Sequence, residues 1–244
     1  MKKFVVTSLA EPVASKWREI QAINGDKPFY VASPLSSTPL PIYEWLVRHA
    51  DSFSSWSQVR FVLMDEQVDG SSAPFTYANV EDAASYEGFA LKHLLGPLAA
   101  ETGITIPVVK PELDHIKKFA TPLNLLILAL GVDGNYANVM PGTELGTGWH
   151  VARLTPQFRT AHTGKGSLSY EGAQFREYGM SLGPQQVLTA KYVIVIISGE
   201  KKRDLTNRLL AYDHFDPDFP LSIIFHPGVK DRVELYITND VLAK

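Results

Sequence analysis

The stretch LNLLILALGVDGNYANVMPG, Leu123 to Gly142, decides the fold. Its first half is apolar without alternation, the pattern of a strand covered on both faces of a parallel sheet. Its second half breaks at once into glycine, aspartate and asparagine, a tight turn at the strand's carboxyl end. Outward from there, strand and helix patterns alternate along the chain, as they do when a parallel sheet is wrapped in helices. FYVAS (Phe29 to Ser33) reads as a buried strand, PLSSTPL as a turn, and PIYEWLVRHA as a helix with Ile42, Leu46 and Val47 at helical spacing. QVRFVLMDE reads as a strand ending in two acids, and SYEGFALKHLLGPLA as the helix after it. GPQQVLTAKYVIVIISG gives a short helix and a second central strand, KKRDLTNRLLAY a further helix, and SIIFHP and VELYITND two last strands. Pro141 to Gly179, rich in Gly, Thr and Ser, reads as a lid or a long surface excursion.

Composition narrows the class. The 244 residues are 45% hydrophobic, enough for one large core in a single domain spanning residues 1–244. A formal charge of -3, from 23 basic and 26 acidic residues well mixed, gives no surface for nucleic acid or an anionic membrane. There is no cysteine, which excludes disulfides, thiolate nucleophiles and thiolate metal sites together. No apolar run approaches a membrane span, and MKKFVVTSLAEPV has only a short one before Glu11 and Pro12, so the expected location is cytoplasmic.

In an open α/β sheet, ligands bind beyond the carboxyl ends of the strands. After the first strand stand Ser36, Ser37 and Thr38, hydroxyls and amides ahead of a helix start, a geometry that holds an anion such as phosphate. The plainer reading makes Thr38 an N-cap with Pro39 first in the helix. After the second stand Asp65 and Glu66, where one carboxylate serves as a general base or simply ends a strand in water. After the third, Gly131-Val132-Asp133-Gly134 brings Asp133 and backbone amides to the sheet edge. After the fourth, Lys202 lies near a helix start, suited to an anion already held by amides, or merely solvated.

In order and spacing, these segments resemble the superfamily of glucosamine-6-phosphate deaminases and 6-phosphogluconolactonases. The likeness runs from about Pro28 to about Pro227 and rests on SPLSSTPLPIYEWLV, FVLMDEQV, SYEGFALKHLL, LALGVDGNYANVMPG, RLTPQFRTAH and GMSLGPQQVLTAKYVIVIISGEKKRDLTNRLL. SGEKKRDLTNRLL and WHVARL are most similar to the galactosamine-6-phosphate isomerases. The resemblance implies a single Rossmann-like α/β domain, an open, mostly parallel sheet with helices on both faces. It implies that Ser36, Ser37 and Thr38 cradle a sugar phosphate, with Arg159 and Lys202 as its cationic partners. It also implies that Asp65 shuttles a proton between C1 and C2 as an aldose becomes a ketose, and that Asp133 supports a catalytic histidine. Glu66 and Gly134 belong to the same two motifs. A small-molecule sugar phosphate is the implied partner, without nucleic acid or membrane, with no metal or organic cofactor, and with a homo-oligomer allowed.

The departures fall on the other half of the implied site. The family motif Gly-x-Asp-Gly-His has Asn135 at its histidine, and Met140 stands where the deaminases have the partnering glutamate. Asparagine does not titrate near neutral pH, so it holds a hydroxyl by hydrogen bonds and moves no proton. Three readings follow: an isomerase for sugars that open spontaneously, a different histidine as proton donor, with His150 the candidate, or a sugar-phosphate binder that has lost catalysis. A lactonase is the alternative enzyme. Met140-Pro141-Gly142 and HLLGPL resemble lactonases, whereas Gln67 replaces their usual arginine and Asn135 removes their histidine. Asp65 separates enzyme from binder, since a binder has no use for a carboxylate beside C2.

Overall fold

The protein is described by a computed structural model that covers every residue except 54, 71, 165–168 and 243–244. Among the described residues the strands are β1 (Lys2–Val6), β2 (Phe29–Ala32), β3 (Val59–Val62), β4 (Asp65–Asp69), β5 (Thr76–Tyr77), β6 (Val108–Val109), β7 (Leu125–Ala129), β8 (His150–Arg153), β9 (Tyr178–Ser181), β10 (Tyr192–Ile197) and β11 (Val233–Thr238). The α-helices are α1 (Ala10–Asn24), α2 (Leu40–Arg48), α3 (Tyr86–Ala90), α4 (Gly96–Thr102), α5 (Pro156–Thr163), α6 (Pro184–Thr189), α7 (Arg203–Leu210) and α8 (Asn239–Leu242). Seven strands form one parallel sheet in the order β1-β11-β10-β7-β2-β3-β6, with helices on both faces. Four others form a small antiparallel sheet in the order β5-β4-β9-β8.

The apolar run at Leu125–Ala129 lies near the centre of the large sheet, between β10 and β2, and Leu125 through Leu128 are fully buried. Asn124, just before it, ties three elements together: its Oδ1 accepts from the amide of Tyr30, its Nδ2 donates to Asn24 Oδ1 at the end of α1, and its carbonyl accepts from the amide of Tyr192. This buried amide sets β2, β7 and β10 in common register, and its hydrogen bonds offset the cost of desolvating it.

Three expectations are corrected. QVRFVLMDE is two strands: after β3 the chain leaves the large sheet through Leu63 and Met64, and Asp65 begins β4 of the small one. The bend is hidden in the sequence because burial is unbroken from Phe61 to Val68. SIIFHP is no strand but part of a 3₁₀ turn, Pro220–Phe225, closed by bonds such as Ser222 N–H to Phe219 O and pinned by Ser222 Oγ, which accepts from the amide of Asp216. Thr38 caps no helix, since α2 starts at Leu40 without a side-chain cap. The segment from Pro141 to Gly179 is more than a surface excursion. It supplies β8 and α5 and leads into β9, and its helix is capped by Thr155, whose Oγ1 accepts from Phe158 N–H.

Candidate active site

The order in which strands join the large sheet reverses between β2 and β7: from β2 it builds through β3 to β6, and from β7 through β10 to β11 on the other side. Ligands lodge in the crevice beyond the carboxyl ends at such a switch point. A cavity of about 300 Å³ lies there, and its wall brings together Ser36, Ser37, Thr38, Asp65, Asn135 and Lys202. Tyr86, Tyr136, His162 and Ser169 line it as well.

The loop after β2 is held by tyrosines. Tyr43 donates to Pro34 O and bonds Ser33 Oγ, and Tyr170 donates to Leu35 O. The amide of Ser37 is already donated to Ser169 Oγ at 2.7 Å, so a neutral hydroxyl oxygen stands where an anion's oxygen would accept. Lys202 Nζ donates to Leu130 O at 2.6 Å, and burial lowers its pKa from 10.5 to about 8 against the opposing pull of Asp133.

Asp65 is buried, and burial together with the neighbouring Glu66 raises its pKa well above the usual carboxylate range. Asn135 Nδ2 donates to Ala137 O, and its side chain presses on Gly131, where an added Cβ would fall 1.7 Å from Asn135 Oδ1. Glycine at 131 is therefore what admits the asparagine. Three buried polar atoms on cavity-lining residues have no partner among the described residues: Asp65 Oδ1, Asn135 Oδ1 and Tyr136 OH. Buried polar atoms are nearly always bonded, so their convergence points to a polar ligand.

Five residues implied by the sequence do not line this cavity. Arg159 is on α5, which presents Phe158, Ala161 and His162 to the cavity; one residue on from Phe158 is a turn of roughly 100°, which takes Arg159 to another side of the helix. Asp133 Oδ1 accepts from the amide of Asn135, so it shapes the turn, and burial raises its pKa. Glu66 accepts from the amides of Gln67, Tyr86 and Glu87 and from Ser85 Oγ, which makes it the anchor of α3 and of Tyr86. Gly134, at φ 83°, lies against the Phe219 ring, where a Cβ would come within 2.6 Å. His150 opens β8, its Nδ1–H donating to Gly148 O.

His162, like Tyr86, Tyr136 and Ser169, lines the cavity without being among the site residues read from the sequence. It is one helical turn beyond Phe158, stacks between Phe158 and Phe175, and is held by Nδ1–H donation to Phe158 O. Burial, and to a lesser degree Lys202, hold its pKa below the usual imidazole value. Its spacing from the apolar Phe158 is the signal that marks it.

Among the described residues no helix is long and apolar enough to cross a membrane. A family model described as "Glucosamine-6-phosphate isomerases/6-phosphogluconolactonase" matches residues 2–233. The chain is 22% identical over 207 residues to a glucosamine-6-phosphate deaminase of Halalkalibacterium halodurans, covering 84% of this chain and 82% of that one. It is 27% identical over 185 residues to AgaI of Escherichia coli K12, named as a deaminase, covering 72% of this chain and 68% of that one. Its fold matches a solved monomeric glucosamine-6-phosphate deaminase of the NagB superfamily with a TM-score of 0.80 at 19% identity, over 99% of both chains.

Proposed function

Because the chain belongs to the family of glucosamine-6-phosphate isomerases and 6-phosphogluconolactonases, we propose that it isomerises and deaminates an amino-sugar 6-phosphate, galactosamine 6-phosphate ahead of glucosamine 6-phosphate. The products are a ketose 6-phosphate and ammonia, with one water consumed. The observation that carries this reading is Asp65, a buried carboxylate in the same cavity as the Ser36–Thr38 loop and Lys202.

In this scheme the phosphate lies against Ser36, Ser37 and Thr38, displaces Ser169 from the Ser37 amide, and pairs with the Lys202 ammonium. Asp65 takes the proton from C2 of the opened sugar and returns it to C1. Tyr86 stands ready as a donor where enolate charge develops: burial pushes its pKa far up, so it keeps its proton, and its oxygen already accepts from Gln67 Nε2. The resulting C2 imine takes up water and releases ammonia. Asn135 Oδ1 accepts from a hydroxyl or the amino group and orients it without titrating.

A coupled assay tests the proposal: ammonia and ketose phosphate are followed with each of the two amino-sugar phosphates, and 6-phosphogluconolactone hydrolysis is followed in parallel. Deamination should fall about 100-fold or more in Asp65→Asn, with KM little changed. Lactone hydrolysis without deamination, or full activity in Asp65→Asn, rejects the proposal.

A further inference from the structure

On the small sheet, Asp65 of β4 pairs with Ser181 of β9, and Ser181 pairs in turn with His150 of β8. Residues directly opposite in an antiparallel ladder project to the same face, so the three side chains form one row across three strands. The Leu182 amide bonds Met64 O, which makes Asp65 and Ser181 a non-hydrogen-bonded pair, the type whose side chains approach more closely. Asn138 closes over this face: its amide donates to Ser181 Oγ, its Nδ2 donates to Met180 O, and its side chain fills the space that a Cβ on Gly179 would need.

Around this row three buried polar atoms have no partner among the described residues: Asp65 Oδ1, Asn138 Oδ1 and His150 Nε2. His150 Nδ1–H is committed to Gly148 O, which leaves Nε2 as the lone-pair nitrogen. Asp65 lines the cavity, while Ser181 and His150 lie outside it. The row therefore leads from the reacting carboxylate to a histidine behind the cavity wall.

We propose that Asp65, Ser181 and His150, with Asn138 beside them, form a buried proton path that loads and unloads Asp65 from the side away from the substrate. No direct hydrogen bond joins the three side chains, so the path needs bridging water between them. The proton leaves Asp65 Oδ1, a proton passes along the Ser181 hydroxyl and its waters, and His150 Nε2 takes one up. The products are the Asp65 carboxylate and a His150 imidazolium that keeps its bond to Gly148. The ionisable groups coupled to Asp65 by charge are Glu66, which points to the other side of β4, Tyr43 of α2, Tyr86 of α3 and Tyr170, none of them a cation. Burial lowers the His150 pKa and only the Gly148 carbonyl opposes it, so the ring is neutral and able to accept.

This inference rests on the proposed role of Asp65, and two measurements separate the failure of one from the failure of the other. In D2O with glucosamine 6-phosphate, the wild-type product should carry solvent deuterium at C1, whereas His150→Gln, which bonds but cannot titrate, should retain the C2 hydrogen and lose solvent label. Equal labelling in both overturns the path while leaving the isomerase reading intact. The second measurement needs no turnover: the infrared carboxyl band of Asp65, identified by its loss in Asp65→Asn, is titrated in wild type and His150→Gln. The apparent pKa should move by about one pH unit, the mark of coupled sites. An unchanged titration overturns the path even in a protein that deaminates nothing.

Discussion

Raising the pH should remove phosphate affinity from this protein well before an ordinary lysine loses its charge. Lys202 is a half-buried cation that lines the cavity beside the exposed Lys201, and burial brings its pKa down to about 8. The charged form is the one that binds a dianion, so affinity is full below pH 8 and declines above it, because each proton must first be taken up. One pH unit is worth about 1.4 kcal/mol, so binding at pH 9 should be about tenfold weaker than at pH 7. Glucose 6-phosphate is the ligand to use: it has no amine, and with a second phosphate pKa of about 6 it stays a dianion over this range. Calorimetry at pH 7, 8 and 9 gives the profile. Lys202→Arg should flatten it, since guanidinium stays charged throughout. A wild-type profile flat to pH 9, or the same decline in Lys202→Arg, refutes the reasoning.

Three further outcomes follow from the geometry. Glu66→Gln sets an amide donor against four donors and should cost about 3 kcal/mol in urea unfolding; a loss below about 0.5 kcal/mol would remove Glu66 as the anchor of α3. Arg159→Ala should leave the Kd of glucose 6-phosphate within about twofold while His162→Gln weakens it about fivefold, the value of one ordinary hydrogen bond; the reverse order would return the arginine to the site. Ser169→Ala frees the Ser37 amide and should tighten phosphate binding, again about fivefold, whereas weaker binding would make Ser169 a ligand instead of a competitor.

What the sequence displays is what burial and turn chemistry write into it. Leu125–Leu128 and Val193–Ile197 are legible because strands covered on both faces cannot alternate. Two Thr-Pro pairs show the limit. Thr155-Pro156 caps α5 as the rule predicts, but at Thr38-Pro39 the same pair lies in a loop held by Tyr43 and by Tyr170, the latter remote in the chain, and the threonine lines the cavity. The cavity shows the same division. Residues at strand ends, Asp65, Asn135 and the Ser36–Thr38 loop, were placed by topology. The choice between Arg159 and His162 depended on the rotation of α5 about its axis, which aromatic packing at Phe158 and Phe175 sets. Glu66 is adjacent to Asp65 yet faces away from it, because alternation along β4 sends neighbours to opposite sides.

Asn135 can now be weighed against the buried acid beside it. A lactonase needs a base near the ester carbon to activate water, and the turn that would supply it holds an amide pressed on Gly131, bonded to Ala137, with no titrating proton. Proton transfer between adjacent carbons is a different demand. It needs one carboxylate able to take a proton at C2 and give one at C1, and a pKa raised by burial above the ordinary carboxylate range makes Asp65 better matched to that exchange than an ordinary aspartate. A simple binder gains nothing from this group: desolvating a carboxyl and leaving Oδ1 without a partner costs stability, and an amide of the same shape would hold a sugar hydroxyl as well. In the proposed scheme the movement of the proton offsets that cost. On the proposed reading, asparagine at 135 supplies no acid for ring opening, keeps the shuttle between C1 and C2, and shifts the demand for ring opening onto the sugar itself, which favours substrates with an accessible open form.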